Sequence, residues 1–199
     1  VVAIAQTSIK RMLAYSTISN MGFLLLGFFA GTAAGYSAAM AYAVIYMVAT
    51  LAVFGVILAL TRPGFESDLL DDFRGLNERN PWLAFLMLTV MFSLAGIPPT
   101  AGFFAKLMVL QAALGSGFIE IVVVAVILAV VGAFYYLRVV KLMYFDSPKA
   151  GVLKISAQGY RRSTIWVLTA NAILLIAITP WIGKTIDFIA FSFVHLDLP

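Results

Sequence analysis

Cysteine is absent from the 199 residues, which excludes disulfides, thiolate nucleophiles and thiolate metal sites and leaves the redox compartment unmarked. Charge is scarce: Asp, Glu, Lys and Arg make up 11% of the chain, against roughly 25% in a soluble domain. The single histidine, His195, stands in a polar tail, where an exposed imidazole is the default and no metal site follows from it. No Gly-rich phosphate cradle is present, and neither is a nucleophile with its base or a carboxylate pair. Any redox step linked to this protein must therefore take place elsewhere. An initiating methionine and a signal peptide are missing too. The opening Val1-Val2-Ala3-Ile4-Ala5 reads as the tail of a helix already under way, so a C-terminal fragment of a longer protein is expected.

What is present is hydrocarbon. Apolar residues make up 63% of the chain and the mean hydropathy is +1.03, values that belong in a lipid bilayer. The net charge of +4 does not point to nucleic acid, because the basic residues are scattered at the ends of apolar runs and form no patch. After the opening stub, apolar stretches run near 12–30, 37–60, 82–114, 118–144 and 164–189. Each is long enough to cross about 30 Å of hydrocarbon, which takes roughly 20 residues. The expected fold is an all-α polytopic transmembrane bundle forming one domain over 1–199, with hydrophilic loops at 62–81 and 146–162. Lys10, Arg11, Arg62, Arg74, Arg79, Arg138, Lys141, Lys149, Lys154, Arg161 and Arg162 fall on one side of the alternation, and Lys184 on the other. By the positive-inside rule the first side is cytoplasmic and the C-terminus lies outside. The two loops read either as solvated connectors or as docking points for another subunit.

The stretch 82–114 is too long for one plain span, since a straight helix of that length would reach roughly 50 Å at about 1.5 Å per residue. Pro98 and Pro99 predict that it breaks, because each lacks a backbone donor and the second forces the first away from helical geometry. Gly96 and Gly102 flank the break. Shortly after it comes Lys106, an amine with apolar sequence on both sides. A snorkelling lysine near a helix end is the bland reading, and it suits Arg138 and Lys141 better. A cation at membrane depth is costly and is usually kept for function. Lysine, unlike arginine, can release its proton when solvent is withheld. Lys106 is thus the expected site of proton exchange, and the freed backbone around it is expected to line a wet cavity.

Other polar residues inside the spans are few. Ser16, Ser19 and Asn20 stand at i, i+3 and i+4 on the first span, with Thr17 beside them. They either glue helices together or hold ordered water in a hydrated path. Tyr42, Tyr46 and Thr50 form a second stripe at i+4 spacing, read as packing or as hydroxyls in a water chain. Glu120 is expected at the interface, Asn171 against a neighbouring helix, and Thr179-Pro180 at a bend.

Four stretches carry a resemblance. Residues 5–22, from Ala5-Gln6-Thr7-Ser8-Ile9-Lys10-Arg11 to Ser19-Asn20-Met21-Gly22, resemble the signature of the antiporter-like membrane subunits of respiratory complex I and of the related Mrp-type sodium/proton antiporters. Residues 93–106 are similar to that family's second broken helix with its lysine. Asp72-Phe73-Arg74-Gly75-Leu76 and the run Phe134-Tyr135-Tyr136-Leu137-Arg138 to Lys141-Leu142-Met143-Tyr144 resemble the bacterial NADH:quinone oxidoreductase branch in particular. The resemblance implies a protein of about fourteen helices with two inverted repeats, of which this chain holds most of the second. It also implies a place in a bacterial inner membrane, multi-pass and with the C-terminus periplasmic.

The implied function is proton translocation coupled to quinone reduction by NADH, with Lys106 matching the family's protonatable lysine. The alternative is an Mrp-type sodium/proton antiporter. Neighbouring antiporter-like subunits of the membrane arm are the implied partners. No cofactor is expected in this chain; NADH, flavin, iron–sulfur clusters and quinone would belong to partner subunits. Asn20 stands where several sister subunits have a histidine, and Thr50 where some have another. Water held by Ser16, Ser19, Asn20 and Thr50 would have to bridge the relay instead.

Overall fold

The computed structural model describes residues 2–61, 66–148 and 162–179. Among them every extended element is a helix. The opening stub is a single 3-10 turn, Val2–Ala5, and the chain bends at Thr7 before Ser8, which bridges to Leu69. Helix α1, Ile9–Phe29, starts a turn earlier than its hydropathy suggests, because Ser8 caps it: the Ser8 hydroxyl accepts from the Arg11 amide at 3.2 Å. The same hydroxyl donates to Asp68 Oδ1 at 2.9 Å and so ties the start of α1 to the loop that follows α2. Gly31, at φ 65, turns the chain, and Thr32 caps helix α2, Ala33–Leu60. Small residues let these two helices approach closely. A Cβ added at Gly27 would lie 2.9 Å from that of Ala39.

The loop after α2 is folded, not merely solvated, in its described part. A 3-10 turn, Leu70–Phe73, and a short helix α3, Leu76–Arg79, bury Leu70, Phe73 and Leu76. Gly75, at φ 60, donates its amide to the Leu142 carbonyl at 3.0 Å, and Arg74 reaches Asp71 and Asp146. The predicted long span is two helices, α4, Pro81–Ala95, and α5, Ala101–Gly115. Asn80 caps α4 by accepting from the Leu83 amide, and Pro81 sits at its first position, where no donor is missed. Helix α6, Ile119–Tyr144, buries Tyr135, Tyr136, Val139, Val140, Leu142 and Met143, all toward its C-terminal end. Its other end stands away from the bundle. Helix α7, Arg162–Ala177, packs on α2 and α4 through Leu168, Ala172 and Leu175. Trp82 Nε1 donates to Thr169 Oγ1 at 3.1 Å across that contact.

Helices α1, α2 and α6 are each long and apolar enough to cross a membrane, and α4 with α5 makes one interrupted crossing. The stretch 180–189 of the last expected span lies outside the described residues, as do Pro180, Lys184, His195 and most of the loop 146–162. Arg138, expected to snorkel, is half-buried near the C-terminal end of α6. Its Nη1 donates to the Ile4 carbonyl at 2.9 Å and pins the opening stub to α6. Glu120 lies exposed in the first turn of α6.

Candidate functional site

The interruption between α4 and α5 is built by glycine as much as by proline. Gly96 ends α4 at φ 81, a left-handed conformation that side chains disfavour, and its amide and that of Ile97 both turn back to the Phe92 carbonyl. The chain then passes through Ile97, Pro98, Pro99 and Thr100 before α5 begins at Ala101. Gly102 brings the two half-helices into contact. Its amide donates to Ser93 Oγ at 3.2 Å, and a Cβ there would run into the Ser93 carbonyl. Ser93 therefore supplies a cap to α5 from the end of α4.

Lys106, in the second turn of α5, reaches back across this break. Its Nζ donates to the Leu94 carbonyl at 2.8 Å and to the Ala95 carbonyl at 3.1 Å, groups that the end of α4 leaves without helical partners. The C-terminal end of a helix carries partial negative charge, which favours a cation by about 0.3–1 kcal/mol at exposed sites and more where water is scarce. The Phe23 ring lies beneath the ammonium, its centroid 5.2 Å away. Gly96 leaves room for the stem, since a Cβ there would meet Lys106 Cδ at 2.9 Å.

The lysine is half-buried, not sealed, because α6 stands off α5 over its outer half. It borders two spaces. One is an apolar cleft of about 280 Å³ between α5 and α6. The other is a small cavity of about 10 Å³ shared with Asn20, Tyr42, Tyr46 and Ser93.

Of the residues expected on a hydrated path, Ser16 and Asn20 are buried and Thr50 is half-buried, all facing the interior. Ser16, Thr17, Tyr46 and Thr50 line a second cavity of about 10 Å³. Ser19 does not join them. Successive residues rotate about 100° around a helix, so Ser19 is swung away from Asn20 and lies exposed in the groove between α1 and α6. Asn20 is a junction for side chains: it accepts from Tyr42 Oη at 2.8 Å and donates to Tyr136 Oη at 3.1 Å and to the Ser16 carbonyl at 3.0 Å. Tyr136 is a site residue that residue-by-residue reading missed, since nothing local says which face of α6 the adjacent tyrosines present. Both prove buried, with ring centroids 4.4 Å apart. On α7 the Asn171 Oδ1 is buried without a hydrogen-bond partner among the described residues.

An all-helical membrane bundle with a discontinuous helix is the architecture in which secondary transporters build their ion sites. Residues 1–132 match the family described as NADH:quinone oxidoreductase/Mrp antiporter, transmembrane, and the chain belongs to that family. Subunit N of NADH-quinone oxidoreductase from Nitrosomonas europaea is 62% identical over 149 residues, which is 75% of this chain and 31% of that protein. The subunit N of Methylovorus glucosotrophus is 50% identical across 98% of this chain and 40% of its own length. A chain of respiratory complex I from Thermus thermophilus superposes with a TM-score of 0.76 at 27% identity, covering 94% of this chain and 41% of that one. A chain of the Mrp complex from Dietzia sp. superposes at 0.79 with 22% identity, a likeness of fold alone. The chain thus spans 31–40% of the length of these curated relatives.

Proposed function

We propose that this chain forms the second repeat of a proton-translocating membrane subunit of a bacterial NADH:quinone oxidoreductase, with Lys106 as its protonation site. The observation that carries the reading is the amine on the helix break, held by the Leu94 and Ala95 carbonyls and bordering a cavity on one side and a cleft on the other. Relatives at 50–62% identity, all named subunit N, favour this reading over an Mrp-type antiporter.

In this reading the two carbonyls and the Phe23 ring stabilise the ammonium, while scarce water favours the neutral amine. A charge arriving about 10 Å away changes that balance by roughly 1.7 kcal/mol at an effective dielectric near 20. Moving one charge against 100 mV costs about 2.3 kcal/mol, a comparable size. A modest electrostatic or conformational signal from the redox reaction is therefore large enough to load or unload the lysine. Partner subunits carry NADH, flavin, iron–sulfur clusters and quinone, and neighbouring antiporter-like subunits flank this one. The protein lies in the inner membrane with Lys10 and the loop after α2 on the cytoplasmic side and the C-terminus in the periplasm.

Replacing Lys106 in the full-length protein tests the reading. With assembly confirmed, both Lys106→Met and Lys106→Arg are expected to lower proton uptake coupled to quinone reduction by roughly 10²-fold, the low end for losing a positioned proton carrier. Arginine keeps the charge but cannot release its proton. Full uptake in the arginine variant would assign Lys106 a fixed-charge role, and full uptake in both would remove it from the mechanism.

A further inference from the structure

Tyr46 stands between two small cavities. On one side is the cavity of about 10 Å³ that Lys106 and Ser93 border, and on the other the cavity of about 10 Å³ that Ser16, Thr17 and Thr50 border. Only Tyr46 and Leu94 line both, and of these Tyr46 alone has a side-chain polar group. Each cavity has about the minimum volume for one water, and polar side chains border both: Lys106, Ser93 and Tyr46 the first, and Tyr46, Ser16, Thr17 and Thr50 the second. Tyr46 Oη donates to Thr17 Oγ1 at 2.8 Å. Its ring lies against that of Tyr42, with centroids 6.4 Å apart and planes 4° from parallel, so the hydroxyl is aimed at that spot by packing.

Asn20 offers no competing route. Both of its amide hydrogens are engaged, on the Ser16 carbonyl and on Tyr136 Oη. An amide, unlike a hydroxyl, does not accept one proton while releasing another. Thr17 and Ser16 lie nearer than Asn20 to the start of α1, and Thr50 lies nearer than Tyr46 to the end of α2. A path through Tyr46 thus leads from Lys106 toward the end of the bundle that carries Lys10.

We infer that Tyr46 is a proton relay connecting Lys106, through one water in each cavity, with the Ser16, Thr17 and Thr50 pocket. The inference rests on the reading of Lys106 as the protonation site. In the transfer, the ammonium gives a proton to the first water, and that water passes one to Tyr46 Oη. Tyr46 turns its own hydrogen from Thr17 Oγ1 to the second water, because the Thr17 hydrogen is engaged on the Leu13 carbonyl at 3.0 Å. Lys106 ends neutral, Tyr46 ends as it began, and the second water holds the extra proton. Rotation of the hydroxyls resets the chain.

The test uses the full-length protein in its assembled membrane complex, with Tyr46→Phe, Tyr46→Ser and Lys106→Met compared for proton uptake. Phenylalanine keeps the ring and removes the hydroxyl, so the relay predicts a loss of roughly 10²-fold. Serine opens a space in which water replaces the phenol, so its loss is expected to be smaller than that of phenylalanine. A packing role predicts the reverse order, because serine hollows the core while phenylalanine fills it. Uptake undiminished in Tyr46→Phe, or lower in an assembled Tyr46→Ser than in Tyr46→Phe, overturns the relay while Lys106→Met remains inactive. If Lys106→Met is fully active, the lysine reading falls first and the relay falls with it.

Discussion

Lys106 and Asn20 show how much one side chain decides in a bundle this poor in charge. Lys106 takes up two carbonyls that the helix break would otherwise leave unpaired, so the site satisfies its own backbone before any ligand arrives. Asn20 joins three helices, with Tyr42 on α2 and Tyr136 on α6 both bonded to its amide. Asn20→Leu keeps the volume and removes both interhelical bonds. At about 0.6–1.7 kcal/mol for each interhelical bond in a membrane protein, the variant is expected to lose about 1–3 kcal/mol, measurable as a lower unfolding temperature of the full-length protein in detergent. A lysine in apolar sequence is legible as it stands. The partners of Asn20 are not, since Tyr136 lies 116 positions away.

At the scale of elements, the break is a joint made by four small or rigid residues in different ways. Pro98 and Pro99 forbid a continuous helix. Gly96 takes the left-handed turn that ends α4, and Gly102 permits the close approach that lets Ser93 cap α5. Gly102→Ala forces α4 and α5 apart and draws Lys106 away from the carbonyls it binds. Overpacking of this kind costs about 1–3 kcal/mol, so stability and proton uptake are expected to fall together. Ser93→Ala leaves the packing intact and removes one cap, worth about 1 kcal/mol, so a stability loss equal to that of Gly102→Ala would argue against the close contact as the cause. The prolines announced this joint in the sequence. The roles of the two glycines did not show there, because they depend on which atoms lie opposite.

At the scale of the whole molecule, charge gathers at one end. Lys10 pairs with Glu66 at 3.6 Å, and Arg74 pairs with Asp71 and Asp146, around the loop that follows α2. The Lys10–Glu66 pair is exposed and contributes little to stability, about 0–1 kcal/mol, so the position of these charges matters more than their strength: it marks the cytoplasmic end in the proposed orientation. Because these residues contain no cysteine, Glu78→Cys and Glu120→Cys can be labelled separately in a background whose remaining segments also lack it. A membrane-impermeant maleimide is expected to reach position 78 only from the cytoplasmic side and position 120 only from the periplasmic side. The opposite pattern would invert the orientation. The outer half of α6 presents Val123 and Ile127 outward, as suits a helix bathed in apolar surroundings, while Val126 and Val130 face the cleft beside Lys106.

Composition alone settles that this chain is a helical membrane protein, because in hydrocarbon the backbone must satisfy itself within each helix and the length of each apolar run is set by the bilayer. The double proline alone settles that one crossing is interrupted, because φ and the missing amide are local properties of the residue. Which groups meet was decided only by the tertiary structure. Ser19 turns outward, Arg138 binds the stub, Tyr136 joins Asn20, and Tyr46 divides two cavities. Each depends on the rotation and separation of helices far apart in the chain, and in an apolar bundle nearly every helical face is hydrophobic, so no local pattern tells which one turns inward.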